Sequence, residues 1–344
     1  MTTPTLRNYQ NLRQEMWRLG RFVCVGFDPD MAKIPECVKN TAGRYAGAGT
    51  SQFRLTVVDF CRQIVLATRG VAGAYKPNSA FFEEHGADGM KTLTAVVHTI
   101  NELAPDVPIV GDLKRADIGN TNRGYAKAAF KALGVDTVTV NPYFGGGSLA
   151  PFFNFEDELG VVRKGDKGVV VLCRTSNPEA AEFQDRLTLI SQGEIREEFS
   201  LLAAAGVTTF EKMLSVWPTA TMNGESYWVM PFYQWVAIRF ASRWNGNGNC
   251  SLVVGATAPQ ELANVRALVG DMPLLIPGIG FQQRDVPLEQ QVEQAVKAAM
   301  DSRGQGFYLN DSRGTLYASS GQDFAEAALA RVTELNRLVA KYRS

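Results

Sequence analysis

Eight short runs rich in β-branched and other apolar residues recur along the chain, at 22–28, 73–78, 108–114, 137–143, 168–175, 251–257, 273–279 and 306–312. Most are continuously apolar rather than alternating, which is the pattern of parallel strands covered on both faces. Between them, apolar residues return every three or four positions. Examples are Phe53, Val57, Phe60 and Ile64 after the first run, and Phe324, Ala328, Val332, Leu335 and Val339 after the last. That spacing lines one face of a helix. Eight strand-then-helix units predict an α/β chain folded as a (β/α)8 TIM barrel, a single domain over 1–344. A doubly wound sheet is the alternative. It would use fewer units and put a glycine-rich dinucleotide turn after the first strand, where this sequence has Gly26-Phe27-Asp28-Pro29.

One interval breaks the rhythm. Residues 176–250 separate the fifth run from the sixth, far more chain than a crossover helix and its loops require. The interval carries an acidic and apolar helical pattern at 193–204, an aromatic-rich stretch at 226–244 and an Asn/Gly turn cluster at 245–249. Residues 234–244 read as the helix that should precede the sixth strand. This leaves approximately 186–230 as an insertion between strands five and six, with a role in packing or assembly.

Composition removes several function classes. The 35 basic and 35 acidic side chains cancel, and no long run of one sign marks a nucleic-acid groove or an anionic membrane surface. No stretch is apolar over the roughly 18 residues of a membrane span, and the N-terminus lacks the apolar centre of a signal peptide. Cys24, Cys37, Cys61, Cys173 and Cys250 are odd in number and never spaced C-x-x-C, which fits reduced thiols in a cytoplasmic protein. With only His85 and His98, and no other catalytic group beside either in sequence, a Ser-His-Asp triad or a histidine metal site is not expected.

In a barrel of this kind, polar residues at the C-terminal ends of strands face the mouth where ligands bind. The first strand ends in Asp28, the second in Lys76, and the third in Asp112 and Lys114, with Asp117 three residues on. Residues two apart in extended backbone project to the same side, so Asp112 and Lys114 should share a face, and Lys76 on the neighbouring strand can reach Asp112. The result is a cluster of alternating charge, open to two readings: structural ion pairing or catalysis. After strands seven and eight, where barrel phosphate sites commonly lie, stand Pro277-Gly278-Ile279-Gly280-Phe281-Gln282-Gln283 and Ser312-Arg313-Gly314. Their glycines let backbone N–H groups approach phosphate oxygens, and Arg313 offers a bidentate fork.

The stretch Gly111 to Thr121, GDLKRADIGNT, resembles the D-x-K-x-x-D-I-x-x-T signature of orotidine 5'-phosphate decarboxylases, matched at Asp112, Lys114, Asp117, Ile118 and Thr121. Segments at 24–30, 74–86, 138–146, 172–180, 253–257, 276–282 and 310–318 resemble that family at the corresponding strand ends, most nearly its longer bacterial branch. Only the insertion falls outside the resemblance. It implies a cofactor-free and metal-free carboxy-lyase that converts orotidine 5'-phosphate to uridine 5'-phosphate in de novo pyrimidine biosynthesis, working as a homodimer with shared active sites.

By matching positions, the resemblance implies that Asp28 and Lys76 hold ribose hydroxyls, that Lys76, Asp112, Lys114 and Asp117 form the charged network, and that Asp117, Ile118 and Thr121 cross the dimer interface. Ser176 then contacts the pyrimidine, and Gln282 and Arg313 hold the phosphate. Lys114 is expected to stabilise a carbanion at C6 of the pyrimidine and protonate it. Two positions depart from the pattern: Gly119 stands where proline is common, and Gln283 where glycine is usual. The nearest rival is a metal-dependent sugar-phosphate lyase or epimerase of the same barrel superfamily, against which Ser176 and the Ile118 and Thr121 matches argue. A rival of another class is a non-catalytic nucleotide-binding protein.

Overall fold

A computed structural model of the chain describes residues 7–45, 51–156, 160–163, 165–280, 282–283 and 285–343. Eight parallel strands are joined in one sheet: β1 (Val23–Phe27), β2 (Ala74–Pro77), β3 (Val110–Arg115), β4 (Thr137–Val140), β5 (Gly168–Arg174), β9 (Cys250–Val254), β10 (Leu274–Pro277) and β11 (Phe307–Asp311). The remaining three, β6 (Leu187–Ser191), β7 (Thr219–Met222) and β8 (Glu225–Pro231), form a separate antiparallel sheet. The order in the large sheet is β2-β1-β11-β10-β9-β5-β4-β3, and parallel bridges Tyr75–Ile109 and Asn78–Asp112 join its two ends into a barrel. Each of the eight expected runs supplies one barrel strand, and β1, β2, β4, β9 and β11 are buried at every position. Burial on both faces is why most of the runs lack the polar alternation of a half-exposed strand; β4, Thr-Val-Thr-Val, does alternate but buries both threonines as well.

Helices pack around this sheet on the stripes expected of them. The helix Gln52–Thr68 is started by Ser51, whose Oγ accepts from the Arg54 N–H at 3.2 Å, and it buries Val57, Phe60, Cys61, Ile64 and Val65. The helix Phe324–Arg343 buries Phe324, Ala328, Val332, Leu335, Leu338 and Val339, and its Phe324 ring stacks on Phe60 with centroids 5.3 Å apart. At the end of the barrel where the strands begin, the helix Tyr9–Arg18 is packed through Tyr9, Met16 and Trp17, the last against Tyr308 of β11. The mouth at the other end stays open.

The long interval between β5 and β9 carries the antiparallel sheet, in the order β6-β8-β7, together with the helix Gln192–Ala204. That helix starts with a capping box between Ser191 and Glu194. Phe199 stacks on Phe210 at 4.1 Å and on Trp217 at 6.0 Å, giving the segment an apolar centre of its own. The buried Glu198 accepts from Ser242 and Arg243, and Trp217 Nε1 donates to Gln234 at 2.6 Å, so the segment is fastened to the helical stretch that precedes β9. That stretch, expected as one helix at 234–244, is an α-helix over Phe232–Arg239 continued by a wider π turn over Phe240–Trp244. All five cysteines are free, four of them buried and Cys37 half-buried. Among the described residues no helix is long and apolar enough to cross a membrane.

Candidate active site

The C-terminal ends of the barrel strands surround a cavity of about 320 Å³. Seven of the ten residues singled out from sequence line it: Asp28, Lys76, Asp112, Lys114, Ser176, Gln282 and Arg313. Lys76 on β2 and Lys114 on β3 both reach the carboxylate of Asp112, Lys76 Nζ to Oδ2 at 2.6 Å and Lys114 Nζ to Oδ1 at 2.7 Å. Thr139 on β4 donates to the same Oδ1 at 2.9 Å. Three adjacent strands therefore hold one carboxylate.

Burial pushes the Asp112 carboxyl up, but the Lys76 and Lys114 ammonium groups outweigh burial and hold it well below the usual carboxylate range. Burial likewise pulls the Lys76 ammonium down, and the Asp112 and Asp28 carboxylates more than offset that, leaving it above its ordinary value. Asp112 is thus an anion and Lys76 a cation throughout the physiological range. Of the two lysines, only Lys114 is substantially open to the cavity, with 48% of its side chain exposed against 6% for Lys76.

Asp112 and Lys114 meet by a different route from the regular pleat expected of them. The β3–β4 register shifts between Gly111 and Arg115, and Lys114 has φ 49°, in the left-handed region that a side chain as bulky as lysine seldom occupies. A hydrogen bond from the Lys114 N–H to Thr139 Oγ1, 2.9 Å long, holds the bulge. Such a conformation costs on the order of 1 to 3 kcal/mol, so it persists only where its surroundings fix it, and here it re-aims the Lys114 side chain.

Beside this cluster, Asp28 Oδ1 and Asn310 Oδ1 are buried acceptors without a hydrogen-bond partner among the described residues, both on residues that line the cavity. They suit hydroxyl donors of a ligand. Ser176 lies on a loop that passes against Gly255, where an added Cβ would stand 2.7 Å from Ser176 Cα. That loop is braced from outside: Gln184 accepts from the Thr175 N–H at 2.8 Å and donates to Thr175 Oγ1 at 2.9 Å, while Arg174 makes a two-pronged pair with Asp185 at 2.7 and 3.0 Å.

Gln282 faces the same cavity from the loop after β10, and Arg313 from the first residue of the four-residue helix Arg313–Leu316 that follows β11. Phe281, between Gly280 and Gln282, lies outside the described residues. Among the described residues only Lys114 and Asn223 are non-glycine residues at positive φ, so Gln283 does not need the freedom of the glycine it replaces. Gly119 is the first residue of the helix Gly119–Lys127, the position at which proline is readily accommodated, so either residue fits there.

Asp117, Ile118 and Thr121 are not brought to the cavity of their own chain. Asp117 Oδ1 accepts from the Ile118 N–H at 2.6 Å, and Ile118 is 56% exposed. Neither histidine reaches the cavity: His85 packs on Phe53 and His98 lies within 3.4 Å of Glu102 on its own helix. Sequence reasoning missed Thr139, Asn78 and Asn310, all on the cavity wall. Asn310 carried a usable signal, a polar residue near the end of an otherwise apolar strand; Thr139 did not, because threonine is an ordinary strand residue.

A closed parallel barrel whose mouth joins a lysine–aspartate–lysine cluster to glycine-bearing loops after its last two strands defines a TIM-barrel enzyme. Residues 22–308 match the model of the Orotidine 5'-phosphate decarboxylase / HUMPS family. The chain is 37% identical over 320 residues, 93% of either chain, to an Orotidine 5'-phosphate decarboxylase of Janthinobacterium sp. (strain Marseille). It is 36% identical to one of Ralstonia nicotianae, over 98% of this chain and 100% of that protein. The solved structure of Leishmania donovani OMP decarboxylase superposes with a TM-score of 0.66 at 30% identity, covering 97% of this chain and 99% of that one. The chain belongs to the Orotidine 5'-phosphate decarboxylase / HUMPS family and is a carboxy-lyase.

Proposed function

We propose that the cavity binds orotidine 5'-phosphate with its phosphate on Gln282 and Arg313, its ribose hydroxyls on Asp28 and Lys76, and its pyrimidine beside Ser176. The reaction is decarboxylation of that nucleotide to uridine 5'-phosphate in pyrimidine biosynthesis. The observation that carries the assignment of roles is the Asp112 carboxylate held between Lys76 and Lys114 in the mouth of the barrel.

The phosphate contacts supply binding energy far from the reacting bond, which offsets the cost of ordering loops and side chains around the substrate. Asp112 then lies beside the substrate carboxylate, and this like-charge contact is relieved as carbon dioxide leaves. The electron pair of the broken C–C bond remains on C6, where the Lys114 ammonium stabilises it. Lys114 next transfers a proton to C6, leaving a neutral amine that solvent reprotonates. Asp112 keeps Lys114 aimed, and the bulge held by Thr139 supports that aim.

Each site is completed by Asp117, Ile118 and Thr121 of the partner subunit in a homodimer. This is supported by the family signature they belong to and by their absence from the cavity wall of their own chain. The substrate is a small soluble nucleotide; neither nucleic acid nor membrane is a partner, and the enzyme works in the cytoplasm. Residues 1–344 act as one barrel domain, with 186–230 as an insertion within it. Incubating the protein with orotidine 5'-phosphate and following loss of the substrate's absorbance tests the reading: decay to uridine 5'-phosphate that is abolished in Lys114→Ala supports it, and undiminished decay in that variant overturns it.

A further inference from the structure

We infer that Gln291, on the helix Leu288–Ala299 behind the cavity, is a positioning residue that fixes the phosphate-binding loop after β10. The inference rests on the phosphate reading given above. Gln291 is 3% exposed and lines no part of the cavity. Its side-chain amide is used in full on that one loop. Oε1 accepts from the Gly280 N–H at 2.7 Å, and Nε2 donates to the carbonyls of Gln283 at 2.8 Å and Val286 at 2.7 Å. The first two of these anchor points flank Gln282 on either side.

The loop requires such a brace. Gly278 and Gly280 have φ of 101° and 81°, so its backbone is built from residues with the greatest conformational freedom, and fixing them is entropically costly. A strand would be fixed by its neighbours, but among the described residues beyond Pro277 no strand pairs with this segment, and its own backbone adds only the Gln283 N–H to the Gly280 carbonyl at 3.4 Å and the Val286 N–H to the Gln283 carbonyl at 3.0 Å. Gln291 takes the place of a neighbouring strand with one side chain. On its other side Gly280 lies against Arg331: a Cβ there would come within 2.7 Å of Nη2. Arg331 Nε in turn donates to Asp311 Oδ2 at 2.9 Å, two residues before Arg313. Gly280 is therefore held between two polar side chains, one of which leads to each half of the phosphate grip.

The consequence is selective. Losing Gln291 leaves the Val286 carbonyl and the Gly280 N–H of a glycine-bearing loop without the partner it supplied, and leaves the Gln283 carbonyl only the Val286 N–H at 3.0 Å, so the loop samples positions from which Gln282 no longer meets the phosphate. Lys76, Asp112 and Lys114 share no hydrogen bond with Gln291 and keep their arrangement. The discriminating readout is the ratio of inhibition constants of uridine and uridine 5'-phosphate, which measures the phosphate grip alone and does not depend on how much of a preparation is folded.

In Gln291→Leu this ratio should fall by roughly tenfold or more, KM for orotidine 5'-phosphate should rise by a comparable factor, and kcat should change much less. Gln291→Glu, with the same shape but no donors, should behave likewise and provides a second folded variant. An unchanged ratio in both, with Arg313→Ala lowering it, overturns the role of Gln291 and leaves the phosphate site standing. An unchanged ratio in Arg313→Ala as well overturns the phosphate reading itself. A fall in kcat with no change in the ratio assigns Gln291 a general structural role and likewise overturns the inference.

Discussion

At one end of the cavity, Lys76, Asp112, Lys114 and Thr139 stand on three neighbouring strands and bind one another directly. At the other end, Gln282 and Ser176 stand on loops and Arg313 opens the four-residue helix Arg313–Leu316, and the groups that hold these segments lie outside the cavity: Gln291, Arg331, Gln184 and Asp185. The difference follows what each end must do. Charges that stabilise a transition state lose their value if they shift by an ångström, so they are set in closed strand geometry. Groups that admit and release a dianionic ligand must move, so they sit on loops whose resting position is defined from a second layer.

The largest effect that bears on this contrast concerns the charged end and its proposed completion by a second subunit. Lys114→Ala and Asp117→Ala proteins should each lose roughly a thousandfold or more in turnover as homodimers. Co-refolded together they should recover. Random pairing makes about half the dimers mixed, each with one intact and one doubly damaged site, so activity should approach about a quarter of wild type per subunit. Recovery no greater than the sum of the parents, with mixed dimers confirmed by mass spectrometry, would show that both residues serve the same chain.

At the loop end, Arg313→Ala should lower kcat/KM for orotidine 5'-phosphate by about 2 to 4 kcal/mol, the usual cost of removing one partner from a desolvated charged hydrogen bond. Phosphite dianion should partly restore turnover of the phosphate-free nucleoside in the wild type and fail to do so in the variant. Unchanged kcat/KM moves the phosphate site elsewhere.

The two ends also differ in how legible they were in the sequence. Lys76 and Asp112 stood out because a charge at the end of an apolar strand has few reasons to be there. Most of the eight barrel strands were legible for the related reason that strands buried on both faces run largely apolar, and β4 was legible from its β-branched Thr-Val-Thr-Val instead. The loop braces left no such trace, because Gln291 and Gln184 are neutral polar residues in segments that already contain many. The left-handed backbone at Lys114 was equally silent, since lysine has no preference for it and the cause lies on another strand, in Thr139. In the segment at 186–230 the helix was expected, but β6 to β8 were not: their residues are mostly half-buried or exposed and lack a clean alternation.

That segment offers a weaker test, because it touches neither end of the cavity. Deleting 186–230 and closing the gap with a short Gly/Ser linker should leave decarboxylation measurable. It removes Glu198, to which Arg239 and Arg243 are paired, along with the Trp217 cover over Gln234, so solubility and melting temperature should fall. A folded, dimeric deletion protein without activity would mean that the segment helps build the site, through the Gln184–Asp185 brace it adjoins.

The smallest effect is on stability against pH. Asp112 has a folded-state pKa below its ordinary 3.8, so its contribution is complete above that value and is lost as pH falls through the folded value. Lys76 has a folded-state pKa above its ordinary 10.5, so its contribution is complete below that value and is lost as pH rises through the folded value. The stability difference between wild type and Asp112→Asn, from urea midpoints, should therefore be flat from about pH 5 to 9 and shrink below pH 3.8. The difference between wild type and Gln291→Leu, which involves no titrating group, should not shrink there. A slope in the first difference near neutral pH would contradict the charge states assigned to the cluster.

The division of labour between the two ends is tested most directly by measuring uridine 5'-phosphate binding and single-turnover decarboxylation on one preparation of Lys114→Ala. Binding within roughly threefold of wild type, together with turnover lower by a thousandfold or more, is the predicted result. Turnover above a few per cent of wild type would contradict the role of Lys114, and a loss of binding as large as the loss of turnover would contradict the separation of chemistry from phosphate capture.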